Sequence, residues 1–166
     1  MIRRSEKGFS LIEVLVGLAI MSIIVLAMGM TVTTIVTNSR GTTERSVVLR
    51  EVQNAGYSIS RDVQMADDVT LDGTSGFPLI LDIPVDTEEN NNYSVNYLLD
   101  GDQIIRQVYD SSDILIRERA VAEYIDVGAT TFAALSFNTY ELTIKACNGE
   151  AVAERSYQIK QRLGSL

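Results

Sequence analysis

A single carboxylate interrupts the most apolar stretch of this 166-residue sequence. Glu13 lies in the run "GFSLIEVLVGLAIMSIIVLAMGM" at positions 8–30, and no other charged residue follows it until Arg40. A charge at the centre of a bilayer costs roughly 2.5–3.5 kcal/mol, and it costs less near the interface, where Glu13 would lie. A carboxylate in apolar surroundings is stabilised by a cationic partner. The chemistry indicated here is therefore an ion pair, and the run itself offers no partner for it.

The apolar run has the length and flanks of a membrane span. Phe9–Met30 would measure about 33 Å as a helix, which matches the hydrocarbon core of a bilayer. Arg3, Arg4 and Lys7 precede it, against one acid, Glu6. Excess positive charge before a span keeps that end in the cytoplasm. We therefore expect a single pass through the cytoplasmic membrane, with the N terminus inside and the C-terminal domain outside.

Two other interpretations of the run stay open. A secretory signal peptide has an apolar region of about 7–15 residues and then a small-residue cleavage site. This run is longer, and "AMGMTVTTIV" contains no clean site of that kind. The other interpretation is an ordinary single-span anchor with an incidental acid, and the energy of burying Glu13 near the interface does not exclude it.

The residue order "KGFSLIEVLVGLAIMSIIVLA" resembles the N terminus of type IV prepilins and type II secretion pseudopilins. These proteins have a basic leader that ends in glycine, then phenylalanine, then glutamate at the fifth mature position. Gly8, Phe9 and Glu13 fit this pattern. The resemblance implies that residues 1–8 are a leader, that prepilin peptidase cuts between Gly8 and Phe9, and that Phe9 is N-methylated. The implied partners are that peptidase, other pilin or pseudopilin subunits, an inner-membrane assembly platform and membrane lipid.

Such a cut would create the missing cation. The new α-amine of Phe9 and the Glu13 carboxylate would both lie at the edge of the apolar region. If neighbouring helices stack with an axial offset, Glu13 of one subunit meets the Phe9 amine of the next. A polar pair in an apolar interface sets the register of the helices. We therefore hypothesise that Glu13 couples assembly to cleavage.

A long helix is predicted to carry this segment. The sequence has no proline before Pro78, so one helix from Phe9 to about Ala66 is possible. Its first half is apolar on all sides, and its second half has an apolar stripe at three- and four-residue spacing, with Glu51 and Asp62 on other faces. The stripe consists of Val48, Val52, Ala55, Ile59, Val63 and Ala66. We expect 9–30 to be the transmembrane or filament-core helix, 31–68 a helical stem and 69–166 a β-rich head.

Short strands with turn signals are predicted after Asp68. "FPLILDIPV" (77–85) reads as a strand, and hairpins are predicted to turn at Asp100-Gly101 and near Asn148-Gly149. The segment 113–127 fits either a strand or a short helix. The predicted class is α+β, with the long helix packed on a small antiparallel sheet, as in pilins. The order of the predicted strands loosely resembles the heads of J-type pseudopilins and W-type minor pilins.

The composition of the sequence disfavours several classes of function for the head. A net charge of −8 disfavours nucleic acid, and the candidates for a basic patch near the C terminus are Arg155, Lys160 and Arg162. The sequence has no histidine and no catalytic motif, so we expect no enzyme, no cofactor and no metal site. Acidic loops are expected to be solvated rather than to hold calcium. Cys147 is the single cysteine, so no internal disulfide forms.

A structural filament subunit, a minor pilin or a pseudopilin, is the favoured function. The alternative is a membrane-tethered extracytoplasmic binding module, such as an adhesin or a DNA-uptake subunit, on the same stem. The machine that such a subunit would serve, whether for secretion, adhesion, movement or competence, is not encoded in these motifs.

Overall fold

The structure, a computed structural model, describes residues 10–84 and 93–162. The helix and strands within those residues are α1 (Leu11–Met65), β1 (Asp68–Leu71), β2 (Leu79–Ile83), β3 (Tyr93–Asp100), β4 (Gln103–Tyr109), β5 (Leu115–Ala122), β6 (Thr131–Ser136), β7 (Thr139–Asn148) and β8 (Ala151–Lys160). This is the expected α+β layout, with a long N-terminal helix followed by antiparallel strands. Residues 85–92, between β2 and β3, lie outside the described residues.

Two compact units divide the chain, residues 1–42 and residues 43–166. In the first unit, the described residues are helical from Leu11 onward, and their apolar side chains are exposed. The second unit, called the head below, contains residues 43–65 of α1 and all the described strands. The helical part of the head therefore begins well before the strands do.

The described residues of the head form two antiparallel sheets, where one was expected. Sheet A has the strand order β1-β2-β3-β4-β5, and sheet B has the order β6-β7-β8. The segment after β5 joins them, because Ile125 forms a bridge with Ala146 of β7. The Ile125 amide also donates to the Asp102 carbonyl, and the Cys147 amide donates to the Tyr124 carbonyl.

The apolar stripe of α1 is buried under both sheets. Its six residues, from Val48 in α1 to Ala66 just after the helix, are each no more than 1% exposed, which confirms the predicted stripe. They share one apolar cluster with Leu79, Leu81, Val95, Tyr97 and Ile104 of sheet A and with Phe132, Leu142, Ile144 and Ile159 of sheet B. This stripe is therefore the centre of the core.

The predicted turns are confirmed. Gly101 and Gly149 have φ of 59° and 60°, in the left-handed region that glycine adopts without a steric penalty, and each lies between paired strands. β2 lies between Pro78 and Pro84, as prolines at strand ends require. The segment 113–127 contains the strand β5 and no helix. β1 was not predicted individually, because its four residues are too few for a clear alternation.

Candidate functional site

Glu13 lies in the first turn of α1. The Ser10 carbonyl, just before the helix, accepts hydrogen bonds from the Glu13 amide at 2.9 Å and from the Val14 amide at 3.2 Å. Acidic side chains in the first helical turn are stabilised by about 0.3–1 kcal/mol, because the amide dipoles point toward them. Ser10 and Glu13 also have the spacing of a capping box. Glu13 therefore suits the start of this helix even without a second subunit.

Glu13 is exposed, and within the described ranges 10–84 and 93–162 no side chain forms an ion pair with it. The proposed cleavage and methylation positions, Gly8 and Phe9, and the basic residues Arg3, Arg4 and Lys7 lie outside those ranges. Their predicted roles, and the pairing of Glu13 with a Phe9 amine, stay predictions.

The apolar half of α1 presents large side chains on all sides. From Leu11 to Val36 they are between 44% and 82% exposed. The hydroxyl groups in this segment are satisfied within the helix itself: Ser22 donates to the Ala19 carbonyl at 2.8 Å, and Thr31 donates to the Ala27 carbonyl at 2.9 Å. By length and composition, α1 is the one helix in the described residues that is suited to cross a membrane. Its surface fits lipid or other apolar helices, because its large side chains are apolar and its hydroxyl groups bond to carbonyls of the same helix.

A buried ionic cluster fastens the second half of α1 to sheet A. Asp62 is fully buried, and its Oδ2 accepts hydrogen bonds from Arg106 Nε at 2.6 Å and from the Tyr97 hydroxyl at 2.7 Å. Its Oδ1 accepts from Arg61 Nη2 at 3.2 Å. The expectation that Asp62 and Glu51 lie away from the buried face is wrong. The strands cover a wider arc of the helix than the apolar stripe, so these flanking acids are buried where donors meet them. Tyr97 of β3 and Arg106 of β4 donate to Asp62, and the Glu123 amide, just after β5, donates to Glu51.

The cluster shifts the pKa values of its donors. Burial raises the pKa of Tyr97, and the neighbouring Asp62 carboxylate raises it further. Burial by itself lowers the pKa of Arg106, but the hydrogen bond and the charge of Asp62 outweigh it, so the net change is upward. Both donors therefore keep their protons, and the cluster is intact at neutral pH.

Three further hydrogen bonds hold α1 and the two residues after it to other parts of the head. Glu51 is 9% exposed, and its Oε2 accepts from the Glu123 amide at 3.2 Å. Near the end of the helix, Gln161 Nε2 donates to the Ala66 and Asp67 carbonyls at 3.0 Å and 2.8 Å. These bonds satisfy backbone groups that a helix end leaves without partners.

Gly56 allows β8 to approach the helix. A Cβ atom at this position would overlap the Tyr157 ring. The Tyr157 hydroxyl, in turn, donates to the Val52 carbonyl at 3.3 Å. Glycine lowers helix propensity by about 1 kcal/mol relative to alanine, but at this position the missing side chain makes room for the Tyr157 ring.

No group of three or more histidine, cysteine, aspartate or glutamate side chains in the described parts of the chain is placed to hold a metal ion. Cys147 is a partly buried free thiol. Of the tyrosines in the β3–β4 hairpin, Tyr97 is fully buried and Tyr93 and Tyr109 are partly buried.

The comparison with protein families identifies the N-terminal segment. Residues 3–29 match the family model described as "Prokaryotic N-terminal methylation motif". The chain thus carries a prepilin-type methylation motif, which supports a subunit of the type IV pilin or pseudopilin kind. Such a motif implies processing by prepilin peptidase, assembly with other pilins and anchoring in a membrane. No curated protein and no solved structure gave a significant match.

Proposed function

We propose that this protein is a structural subunit, a minor pilin or a pseudopilin, of a type IV pilus-like or type II secretion-like filament. Prepilin peptidase removes residues 1–8 and methylates Phe9. The subunit waits in the cytoplasmic membrane with its head outside, and it enters the filament through the apolar half of α1. The observation that carries the proposal is the methylation motif at residues 3–29, which leads directly into an exposed apolar helix with one acid in its first turn.

The exposed apolar surface explains why the same segment suits two environments. Lipid tails and the apolar faces of other helices solvate it about equally well, so transfer between them requires little energy. Selection of the correct neighbour then depends on a polar interaction. In the proposed mechanism this is the ion pair between the Glu13 carboxylate and the Phe9 amine of an adjacent subunit, which exists only after cleavage.

The head has to stay folded while α1 leaves the membrane. Asp62 joins α1 to β3 and β4, and Glu51 joins it to the segment after β5. Gln161, just after β8, bonds to the residues that follow α1. These contacts lie within the head and make no use of the apolar segment. We infer that the head acts through contacts at its surface and has no catalytic role.

Substitutions at Glu13 test the proposed mechanism. Glu13→Val removes both the charge and the capping-box acid, whereas Glu13→Gln removes the charge and keeps a residue that suits a capping box. We expect both variants to insert and to be cleaved, and both to be depleted from sheared filaments. Ser22→Ala is the matched control, since the Ser22 hydroxyl bonds to the Ala19 carbonyl of its own helix.

Filament fractions and intact masses give three distinct outcomes. If Glu13→Gln enters filaments normally while Glu13→Val does not, Glu13 acts by capping its helix. If Glu13→Val enters filaments at the normal level, the pairing mechanism is wrong. If the native chain is cleaved but is absent from every filament fraction, the protein is a tethered binding module rather than a structural subunit.

A further inference from the structure

The strand β5 forms a free edge of sheet A. Within the described residues it pairs with β4 and with no other strand, and its residues from Leu115 to Ala120 are exposed. A free edge presents a row of backbone N–H and C=O groups that another strand can join. Exposure of six consecutive residues leaves room for such a strand.

A groove separates this edge from α1. It measures about 330 Å³. Its lining consists of Asn54, Tyr57 and Ser58 from the helix and Arg119, Ala120 and Val121 from the strand. Tyr57 is 70% exposed, so its ring forms one open wall. A strand added beside β5 would therefore contact the helix as well as the sheet, and the groove provides amide and hydroxyl groups for it.

The charge beside this groove is unbalanced. Arg119 lies directly opposite Arg106 of β4, and like charges in that position repel each other. Arg106 is paired with Asp62, which also binds Arg61. A single carboxylate thus serves two arginines. Among the described residues, nothing forms an ion pair with Arg119.

Arg117 adds to this positive surface. It lies two residues before Arg119, so both side chains are on the same face of β5. Glu118 between them is on the opposite face, where its Oε2 accepts from Gln107 Nε2 at 2.6 Å. Although the chain has a net charge of −8, this edge carries a local excess of positive charge. A carboxylate from a partner would balance the positive charge on the face that carries Arg117 and Arg119.

Apolar side chains lie at the start of the same edge. Ile114 and Ile116 are each 62% exposed, and Leu115 is 45% exposed. Together with the two arginines, they give the edge an apolar end and a cationic end. An acidic peptide with some apolar residues complements this order, and a basic peptide does not.

We propose that β5 is a docking edge for an extended acidic segment of a partner protein. The segment pairs with the outer edge of β5 as a sixth strand of sheet A, with a carboxylate beside Arg117 and Arg119 and an apolar side chain against Ile116. Backbone hydrogen bonds provide affinity in this mode of binding, and alternate side chains provide selectivity. The inference rests on the head alone and does not depend on the proposed function.

The test uses the full chain in a nonionic detergent and a defined probe. The probe is an eight-residue peptide of alternating valine and glutamate, blocked at both ends and labelled with a fluorophore. We expect saturable binding by fluorescence anisotropy, weaker at high salt. Amide hydrogen exchange should slow across residues 115–120. Two control peptides are the same sequence with lysine in place of glutamate, and the same acidic sequence with alternate backbone nitrogens methylated.

Matched variants locate the site. Arg119→Glu should weaken binding of the acidic probe by about tenfold or more, and Arg119→Gln should weaken it less. Lys160→Glu, at the exposed end of β8, makes the same change in charge at another edge and should leave binding unchanged. Near-UV circular dichroism of each variant checks that the head is folded.

Several results would overturn the proposal. Binding that survives N-methylation of the peptide would exclude strand pairing, and equal binding of the lysine peptide would exclude charge recognition. Failure of the acidic peptide to bind would identify the charges of β5 as a device that keeps this edge unpaired. Slower exchange in β5 when the chain is concentrated without peptide would identify a second copy as the occupant.

Discussion

Removing the Asp62 carboxylate is expected to destabilise the head strongly. In Asp62→Ala, Arg106 keeps its charge with only 11% of its side chain exposed, and the Tyr97 hydroxyl loses its acceptor in the core. Breaking a buried ion pair by removing one partner costs about 3–5 kcal/mol. A domain is typically stable by about 5–15 kcal/mol, so this loss is a large fraction of the total. The reason is the uncompensated cation that remains, rather than the loss of one contact.

Urea unfolding of the full chain in detergent, followed by tyrosine fluorescence, measures the effect. The matched variant combines Asp62→Leu with Arg106→Met and Tyr97→Phe, which removes the charges and the hydroxyl together. Apolar replacement of a whole buried cluster is often neutral or stabilising. We expect this triple variant to recover at least half of the stability lost in Asp62→Ala. A loss below about 1 kcal/mol in the single variant, or a triple variant no more stable than it, would refute this reasoning.

Three further predictions concern the head. Gly56→Ala raises helix propensity by about 1 kcal/mol, but its Cβ would overlap the Tyr157 ring. We therefore expect the free energy of unfolding, measured in urea, to fall by about 1–3 kcal/mol. Adding Tyr157→Ala to the same chain should reverse part of that loss. Gln161→Ala should cost about 1–3 kcal/mol and increase amide exchange at the end of α1, because the Ala66 carbonyl loses a donor. Above about pH 10, stability should fall with rising pH, since the unfolded chain releases the Tyr97 proton while the folded chain, with its raised pKa, retains it. In Tyr97→Phe the starting stability should be lower, but the alkaline decline measured by thermal unfolding should be shallower.

Control measurements separate these effects from general damage. An unchanged stability in Gly56→Ala would mean that the Tyr157 ring moves aside at little cost. An equally steep alkaline decline in Tyr97→Phe would assign that decline to other tyrosines, of which Tyr140 and Tyr157 also have pKa values raised by burial.

Local patterns in the sequence account for the main elements of the fold. The apolar stripe of α1 is visible because one helix face has a period near 3.6 residues, and it is buried as predicted. The turns at Gly101 and Gly149 are visible because a left-handed residue between two strands calls for glycine. These features depend on residues close together in the chain.

Features that depend on distant residues were missed. Asp62 is separated from Tyr97 and Arg106 by 35 and 44 residues, so no local pattern links them. A charged residue outside an apolar stripe normally faces water, and only the tertiary structure shows that sheet A covers it. The division into two sheets was missed for the same reason, since it depends on how the segment after β5 pairs with β7.

The N-terminal motif was recognisable from the sequence alone, and a family model matches it at residues 3–29. Gly8, Phe9 and Glu13 fall within this motif, which is a local pattern of residue types along the sequence, and their individual roles stay predictions. The groove beside β5 was not predictable, because Tyr57 and Arg119 approach one another only in the folded head.

The intact mass of the native chain tests the proposed function most directly. It should be measured in cells with and without prepilin peptidase. We expect a chain that starts at methylated Phe9 when the peptidase is present and a chain that retains residues 1–8 when it is absent. A native chain that starts at Met1 in both cells, or one that starts beyond the apolar segment, would contradict both the processed subunit and the pairing of Glu13 with a new amine.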